Sequence, residues 1–398
     1  MTRPLRVLSL YEGFFAGGAR ILHSDVVAGL ATGGDQEHHV LSLTSAAHRD
    51  ASIQYAHDDA RYRRLRDVGV GITAFDRVAG AHPVAPEVFT AAELDHAAAL
   101  FDEADVVLSL KEQPLSLVLA LERAGLLPPR PTAACLHRSD PTHSGAALGW
   151  LADAAGSGAV SATIACAVST SEAYARAGVT ASEAWIIDNG IDTRRFRPGT
   201  RLERRRVRES LGIPESAPVV LLAARFDAMK DPALFLAAVA RHARRFPETH
   251  YVMCGSGMTR DNAAFVSLVE ESGVDGDVGL HALGLREDMP QLYRAADVVA
   301  LTSAFGEASP LCLAEGAASG AIPVTTDVGD AARVVQGFGL VTTRDADDIA
   351  GAWELALGNR LSLRSAAIRA RGQLDRRRMV EDYRGAISGL LMRDELAA

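Results

Sequence analysis

Short runs of β-branched and aliphatic residues alternate with alanine-rich amphipathic stretches along the whole chain, the pattern of parallel strands joined by helical crossovers. In the first half the runs predict strands at 6–10 (RVLSL), 39–43, 105–110, 132–136, 162–169 and 184–188. In the second half they predict strands at 219–224 (VVLLAA), 250–255, 278–284, 297–303, 322–326 and 339–342. Each half therefore reads as its own doubly wound α/β domain, 1–190 and 216–375. Between them, 191–215 is rich in Gly, Pro and charge and ends in a short charged helix near Gly212-Ile213-Pro214, which reads as a linker. The stretch 376–398 carries helical apolar spacing at Met379, Tyr383, Ile387 and Leu390. No solenoid-type repeat is present. Ligands of doubly wound sheets bind beyond the carboxyl ends of the strands, so the loops that follow strands hold the candidate chemistry.

Composition narrows the picture. A chain of 398 residues suits two domains, and 48% hydrophobic with 23% charged residues is ordinary for a globular protein. No apolar run is long enough to span a bilayer, and MTRPLRVLSLYEG lacks a small-residue cleavage site, so it reads as a first strand. Cys135, Cys166, Cys254 and Cys312 stand singly in apolar surroundings, as buried free thiols of a cytoplasmic protein would. A net charge of −9 gives no footprint for nucleic acid. Basic clusters at 60–69 and 194–208 read as solvated surface, with peripheral membrane contact or an anionic acceptor left open. The chain holds only two lysines, Lys111 and Lys230, which marks both as positions where a compact ammonium is wanted in place of a guanidinium fork.

The segment FGEASPLCLAEGAASG (305–320) carries the most chemistry. Ser309 and Pro310 read as N-cap and first helical position, and Gly320 as the C-terminal stop. The free N–H groups of such a helix suit a diphosphate. Glu307 precedes the helix, where a carboxylate can accept from sugar hydroxyls, and Glu315 lies about one and a half turns inside, suited to a ribose diol. Either glutamate alone is commonly a dipole partner or a surface group; their joint occurrence around this turn points to a ligand. Arg225 ends a buried strand and Lys230 opens the next helical stretch, a cation pair fit for the charge that builds on a leaving diphosphate. Gly17-Gly18 after the first strand allows close approach of a phosphate or sugar. CGSG (254–257) lacks the acidic ribose partner of a dinucleotide fingerprint. His137 ends the strand 132–136, with Arg138 and Asp140 alongside. Ser169, Thr170 and Ser171 read as helix-capping residues. The motifs of serine hydrolases, zinc proteases and P-loop NTPases are missing.

Together GG (17–18), HRSDP (137–141), VSTSEA (168–173), DNGIDTRRF (188–196), RFDAMKDP (225–232) and the segment 283–330 make the chain resemble the retaining glycosyltransferases of family 4, which have the GT-B fold. The resemblance implies two Rossmann-like domains facing across a cleft, with the C-terminal helix crossing back to the first domain. It implies a nucleotide-sugar donor, UDP- before GDP-, and no cofactor or metal. Gly17, Gly18, Arg225, Lys230, Ser309, Pro310 and Leu311 would hold the diphosphate; His137, Glu307 and Ala308 the transferred sugar; Glu315 the ribose. His137, Glu307, Arg225 and Lys230 would form the catalytic set. Lys111, Arg138 and Asp140 fall on the acceptor side, for a small molecule, glycan or lipid. Where many relatives have Gly and an aromatic between the glutamate and the proline, this chain has Ala308-Ser309, and Arg138 stands where a small or acidic residue is common. A GT-B epimerase or phosphorylase, and a silent nucleotide-sugar-binding subunit, are the competing readings.

Overall fold

A computed structural model describes residues 3–15, 17–49, 52–274 and 276–397. The chain forms two compact units: Met1–Asn189 together with Arg376–Ala398, and Gly190–Asp375. Ala398, the end of the predicted C-terminal stretch, lies outside the described residues.

The first unit is built on seven parallel strands in the order Glu183–Ile186, Ala162–Ala165, Thr132–Leu136, Val106–Leu110, Leu5–Tyr11, Gln36–Ser42, Gly71–Ala74. The central strands are buried on both faces, which is why they read as continuous apolar runs. The helix Arg376–Ala397 packs on the helix Gly18–Ala31 in this same unit, burying Met379, Tyr383, Ile387 and Leu390. Val380 lies against Gly29, and the Tyr383 ring meets His23 edge-on at 6.2 Å.

The second unit has six parallel strands in the order Gly279–Ala282, His250–Cys254, Val219–Ala223, Val298–Leu301, Ile322–Thr326, Leu340–Thr342. Its core includes Trp353, fully buried on the helix Ala346–Gly358 and 5.3 Å from the Phe235 ring on the helix Pro232–Arg245. The stretch read as a linker belongs to this unit. Its helix Arg201–Ser210 sends Arg204 and Arg208 to Asp297, Ile191 bridges to Asp375, and the Phe196 ring packs on Tyr293 at 5.9 Å. Charge and Gly/Pro content read as a linker, but the buried Arg208 and the half-buried Arg204 anchor it.

Two more differences concern strands. The run 162–169 is a strand only to Ala165; Val168–Arg176 is a helix capped at Ala167, so Ser169, Thr170 and Ser171 lie inside its first turns and are not the cap. An apolar run cannot tell the end of a buried strand from the start of a helix. A small sheet of Ser52–Tyr55, Ala46–Arg49 and Val78–Ala79, and the edge strand Gly71–Ala74, were not anticipated, being two to four residues long with mixed polarity. Among the described residues no helix is long and apolar enough to cross a membrane.

In each sheet the order reverses beside the strand nearest the middle of the topology. In the first unit Leu5–Tyr11 neighbours Val106–Leu110; in the second Val219–Ala223 neighbours Val298–Leu301. Such switch points open a crevice at the carboxyl ends.

Candidate functional site

In the second unit the loops 224–231 and 302–310 leave the switch point side by side. Thr302 Oγ1 donates to the carbonyls of Lys230 and Asp231 at 3.1 Å each, and Ala304 N to the Met229 carbonyl at 2.8 Å, which pins the loops together. Asp231 sits in the left-handed region at φ 46° and caps the helix Pro232–Arg245 through Leu234 N at 3.1 Å. A non-glycine residue held there costs about 1–3 kcal/mol, a strain characteristic of binding loops. The CGSG turn buttresses the first loop: at Gly255, φ 140°, a Cβ would stand 1.9 Å from the Ala224 carbonyl oxygen.

This scaffold directs Lys230 Nζ onto Glu307 Oε1 at 2.5 Å, and Ser303 Oγ donates to the same oxygen at 2.5 Å. Glu307 is only 4% exposed. A second close approach fixes its backbone. A Cβ on Gly329, at φ 58°, would lie 1.7 Å from the Glu307 carbonyl oxygen, and Asp330 N donates to the Ala308 carbonyl at 3.3 Å. Arg225 points elsewhere: its Nε donates to Asp227 at 3.0 Å and its side chain is largely exposed, while Asp227 also accepts from Lys230 N at 3.0 Å. One aspartate thus organises both cations, yet only Lys230 meets Glu307.

The helix after Glu307 runs Leu311–Ser319 and stops at left-handed Gly320. Its cap is Pro310, not Ser309. Pro310 keeps an extended ψ of 107°, so the first helical residue is Leu311, and the cap side chain makes no hydrogen bond to the first-turn N–H groups. Glu315 is no surface residue. Burial lifts its carboxyl to about 7 despite the Tyr293 hydroxyl and Arg195, which pull it down. Tyr293 is itself buried and pushed well above its usual value, chiefly by burial. Cys312, beside Lys230, Glu307 and Glu315, is pushed up to about 12 by burial.

The first unit places Lys111, His137 and Arg138 at its own switch point. Lys111 follows the strand Val106–Leu110 in the left-handed conformation, φ 69°, and burial with the Arg138 charge brings its ammonium down to about 8. His137 follows Thr132–Leu136; both ring nitrogens are buried without a hydrogen-bond partner among the described residues, as is Arg138 Nε. Burial, then the Lys111 charge, holds His137 at about 4, so the ring is neutral at physiological pH. Glu112, raised by burial, accepts from the Tyr174 hydroxyl. Asp140 is spent locally, accepting from Thr142 N at 2.9 Å and Thr142 Oγ1 at 2.6 Å as the cap of a short 3₁₀ turn. Gly17 has an extended φ of 162°, which any residue adopts, and Gly18 opens the helix Gly18–Ala31 with open space where a Cβ would stand. Nearby Arg20 pairs with Glu12 at 2.6 Å and covers the Phe15 ring at 3.7 Å.

The sequence reading missed Ser303, Gly329 and Tyr293. Ser303 ends a recognised strand and Gly329 follows another, signals that were present; the Tyr293–Glu315 contact is tertiary and left none. Among the described residues no group of three or more His, Cys, Asp or Glu side chains gathers as a metal site.

Residues 203–373 match the family model for glycosyl transferases group 1. Curated relatives include D-inositol 3-phosphate glycosyltransferases: that of Corynebacterium urealyticum is 35% identical over 186 residues, 44% of this chain and 42% of the relative, and that of Corynebacterium kroppenstedtii 33% identical over 167 residues, 38% and 37%. The alignments thus span about two fifths of the length of these relatives. Among solved structures, Anabaena HepE in complex with UDP and glucose superposes with a TM-score of 0.73 at 19% identity, covering 97% of this chain and all of that one. Sucrose-phosphate synthase from Thermosynechococcus elongatus gives 0.67 at 18% identity, covering 99% and 100%. The fold is that of the GT-B glycosyltransferases.

Proposed function

Taking as premise that the second unit belongs to glycosyl transferases group 1, we propose that the chain is a retaining glycosyltransferase that moves a hexose from a UDP-sugar to an acceptor hydroxyl. The observation that carries this is the Lys230–Glu307 pair beside the N-terminus of the helix Leu311–Ser319, with the largely buried Glu315 further along the same helix. In this reading the first-turn N–H groups, Lys230 and Arg225 take the diphosphate. The helix dipole and the cations neutralise the charge that grows as the anomeric C–O bond breaks, with no metal required. Glu307 accepts from the sugar hydroxyls while Lys230 turns to phosphate. The carboxylate of Glu315 accepts from the ribose diol. UDP is favoured over GDP because the likeness extends to a protein solved with UDP and glucose.

Retention follows from front-face substitution: the leaving phosphate oxygen takes the acceptor proton as the new C–O bond forms on the face it vacates. His137, neutral at working pH, serves as a hydrogen-bonding group on the sugar or acceptor and not as a cation. Lys111 and Arg138 suit an acceptor with an anionic substituent, and the inositol phosphate of the curated relatives' name makes that compound the first acceptor to test.

The test is a thermal-shift panel of UDP-, GDP- and other nucleotide sugars, followed by product stereochemistry from NMR. Stabilisation by a UDP-sugar and an axial-to-axial outcome are expected; no response to any nucleotide sugar, or an inverted product, defeats the proposal. Lys230→Ala is expected to weaken UDP-sugar binding on the order of 10–100-fold, the value of one charge-assisted contact to phosphate. Unchanged turnover in chelator checks the absence of a metal requirement.

A further inference from the structure

The second unit carries a cluster of positive charge at the opposite end of its sheet, where the strands begin. Asp297, 2% exposed, immediately precedes the strand Val298–Leu301. Arg204 donates to its Oδ1 at 2.6 Å, Arg208 to Oδ2 at 2.8 Å and Arg360 to Oδ1 at 3.2 Å, while Val219 N takes a place on Oδ2 at 3.0 Å. Other N–H groups of Arg204 and Arg208 reach main-chain carbonyls of 294–296, 215 and 217. Those two arginines are structural: they tie the helix Arg201–Ser210 to the sheet.

Arg360 and Arg364 are not needed for that task. They stand four residues apart on the helix Arg360–Arg369, where like charges repel. Arg360 shares an oxygen already held by Arg204, and nearly half of its side chain is exposed. Arg364 makes no hydrogen bond or ion pair with any described residue; its guanidinium lies over Gly320, 3.1 Å from where a Cβ would stand. Three guanidinium groups thus share one carboxylate, and Arg364, unpaired among the described residues, is a fourth cation within reach of its field. Neighbouring arginines meet carboxylates at closer to one to one: Arg201 with Glu215 and Arg205 with Glu209, while Arg197 and Arg294 share Glu203. The mutual repulsion is felt in Arg204, brought down to about 10 by burial and by Arg208, Arg364 and Arg360, against the pull of Asp297.

We propose that Arg360 and Arg364, backed by Arg204, form a binding site for a phosphate-type oxyanion, separate from the nucleotide-sugar site and independent of that reading. Planar guanidinium forks match tetrahedral oxyanions, and a dianion offsets most of the uncompensated charge. The ligand chemistry is a phosphate or phosphate monoester, whether free or on a lipid headgroup.

Inorganic phosphate at constant ionic strength is the probe, read by thermal shift and isothermal titration calorimetry. Saturating phosphate is expected to raise the melting temperature of the wild-type protein by on the order of 3 °C. Arg360→Gln/Arg364→Gln is expected to abolish the rise, and Lys230→Ala to retain it. Equal rises in wild type and the double variant would reveal only the general stabilisation that phosphate salts give any protein, and overturn the site. Loss of the rise in Lys230→Ala with retention in the double variant would assign the anion to the nucleotide-sugar site and equally overturn the proposal. Should the double variant fail to fold, Arg364→Gln alone, which breaks no hydrogen bond or ion pair to a described residue, gives the same discrimination. Sedimentation with phosphatidic acid vesicles separates the sources: Arg364-dependent binding identifies a headgroup, and its absence beside a phosphate response identifies a soluble anion.

Discussion

Glu315→Gln separates stability from ligand binding at one atom. Burial lifts the Glu315 carboxyl from 4.5 to about 7. Between those values the folded protein holds a proton that the unfolded chain releases, so stability falls as pH rises through this window and is fullest below it. The gap corresponds to on the order of 3 kcal/mol once pH exceeds both values, and to about 2.5 kcal/mol between pH 5 and pH 8. For a unit of this size, that is a decline in melting temperature of roughly 5–10 °C. The glutamine keeps the shape and the Tyr293 contact but does not titrate, so its profile is expected to be flatter and to lie above the wild-type curve at pH 8. Binding runs the other way. In the donor site proposed above a ribose diol would donate to the carboxylate, the form present at about a tenth of the population at pH 6 and about nine tenths at pH 8, so apparent affinity for UDP-glucose is expected to rise about tenfold over that range. Glu315→Gln loses this rise and binds more weakly at pH 8. Calorimetric unfolding at several pH values and titration with UDP-glucose measure both effects. Parallel stability curves for the two proteins would refute the buried-carboxyl argument, and a pH-independent wild-type affinity would refute the ribose role.

Gly329→Ala drives a Cβ into the Glu307 carbonyl oxygen and strains a left-handed position, so a loss of about 2 kcal/mol or more and weakened nucleotide-sugar binding are expected in denaturant melts and thermal shift. An alanine variant as stable as wild type would show that the contact relaxes freely. Lys111→Gly relieves the left-handed strain and is expected to stabilise the protein by about 1 kcal/mol while lowering turnover, the trade expected where a strained residue serves a site. Unchanged turnover would remove Lys111 from the acceptor side.

The architecture was legible because parallel strands buried on both faces carry their own signature. Runs such as VVLLAA and TAACL are too short for helices and alternate with helical stretches, and the loops that hold Lys230, Glu307 and His137 follow from them. What stayed hidden depends on contacts distant in sequence. The pattern of 201–210 gave helix and charge, but not that Arg204 and Arg208 would turn to Asp297. Left-handed Lys111 and Asp231 carry no glycine to announce them, although the rarity of lysine did single out Lys111 and Lys230. The start of the 311–319 helix was misread by one residue because Ser-Pro fits a cap equally well in either register.

The composition of the first unit sets an order on its birth. Its core needs Met379, Tyr383, Ile387 and Leu390, which emerge from the ribosome only after all of Gly190–Asp375 has been made. At translation rates of about 5–20 residues per second, the surface of the helix Gly18–Ala31 waits roughly 20–70 s uncovered. The second unit, continuous in sequence, can close first. The half of the protein that is synthesised earliest is therefore the one completed last, and its apolar docking face for the C-terminal helix is the surface a chaperone would have to guard.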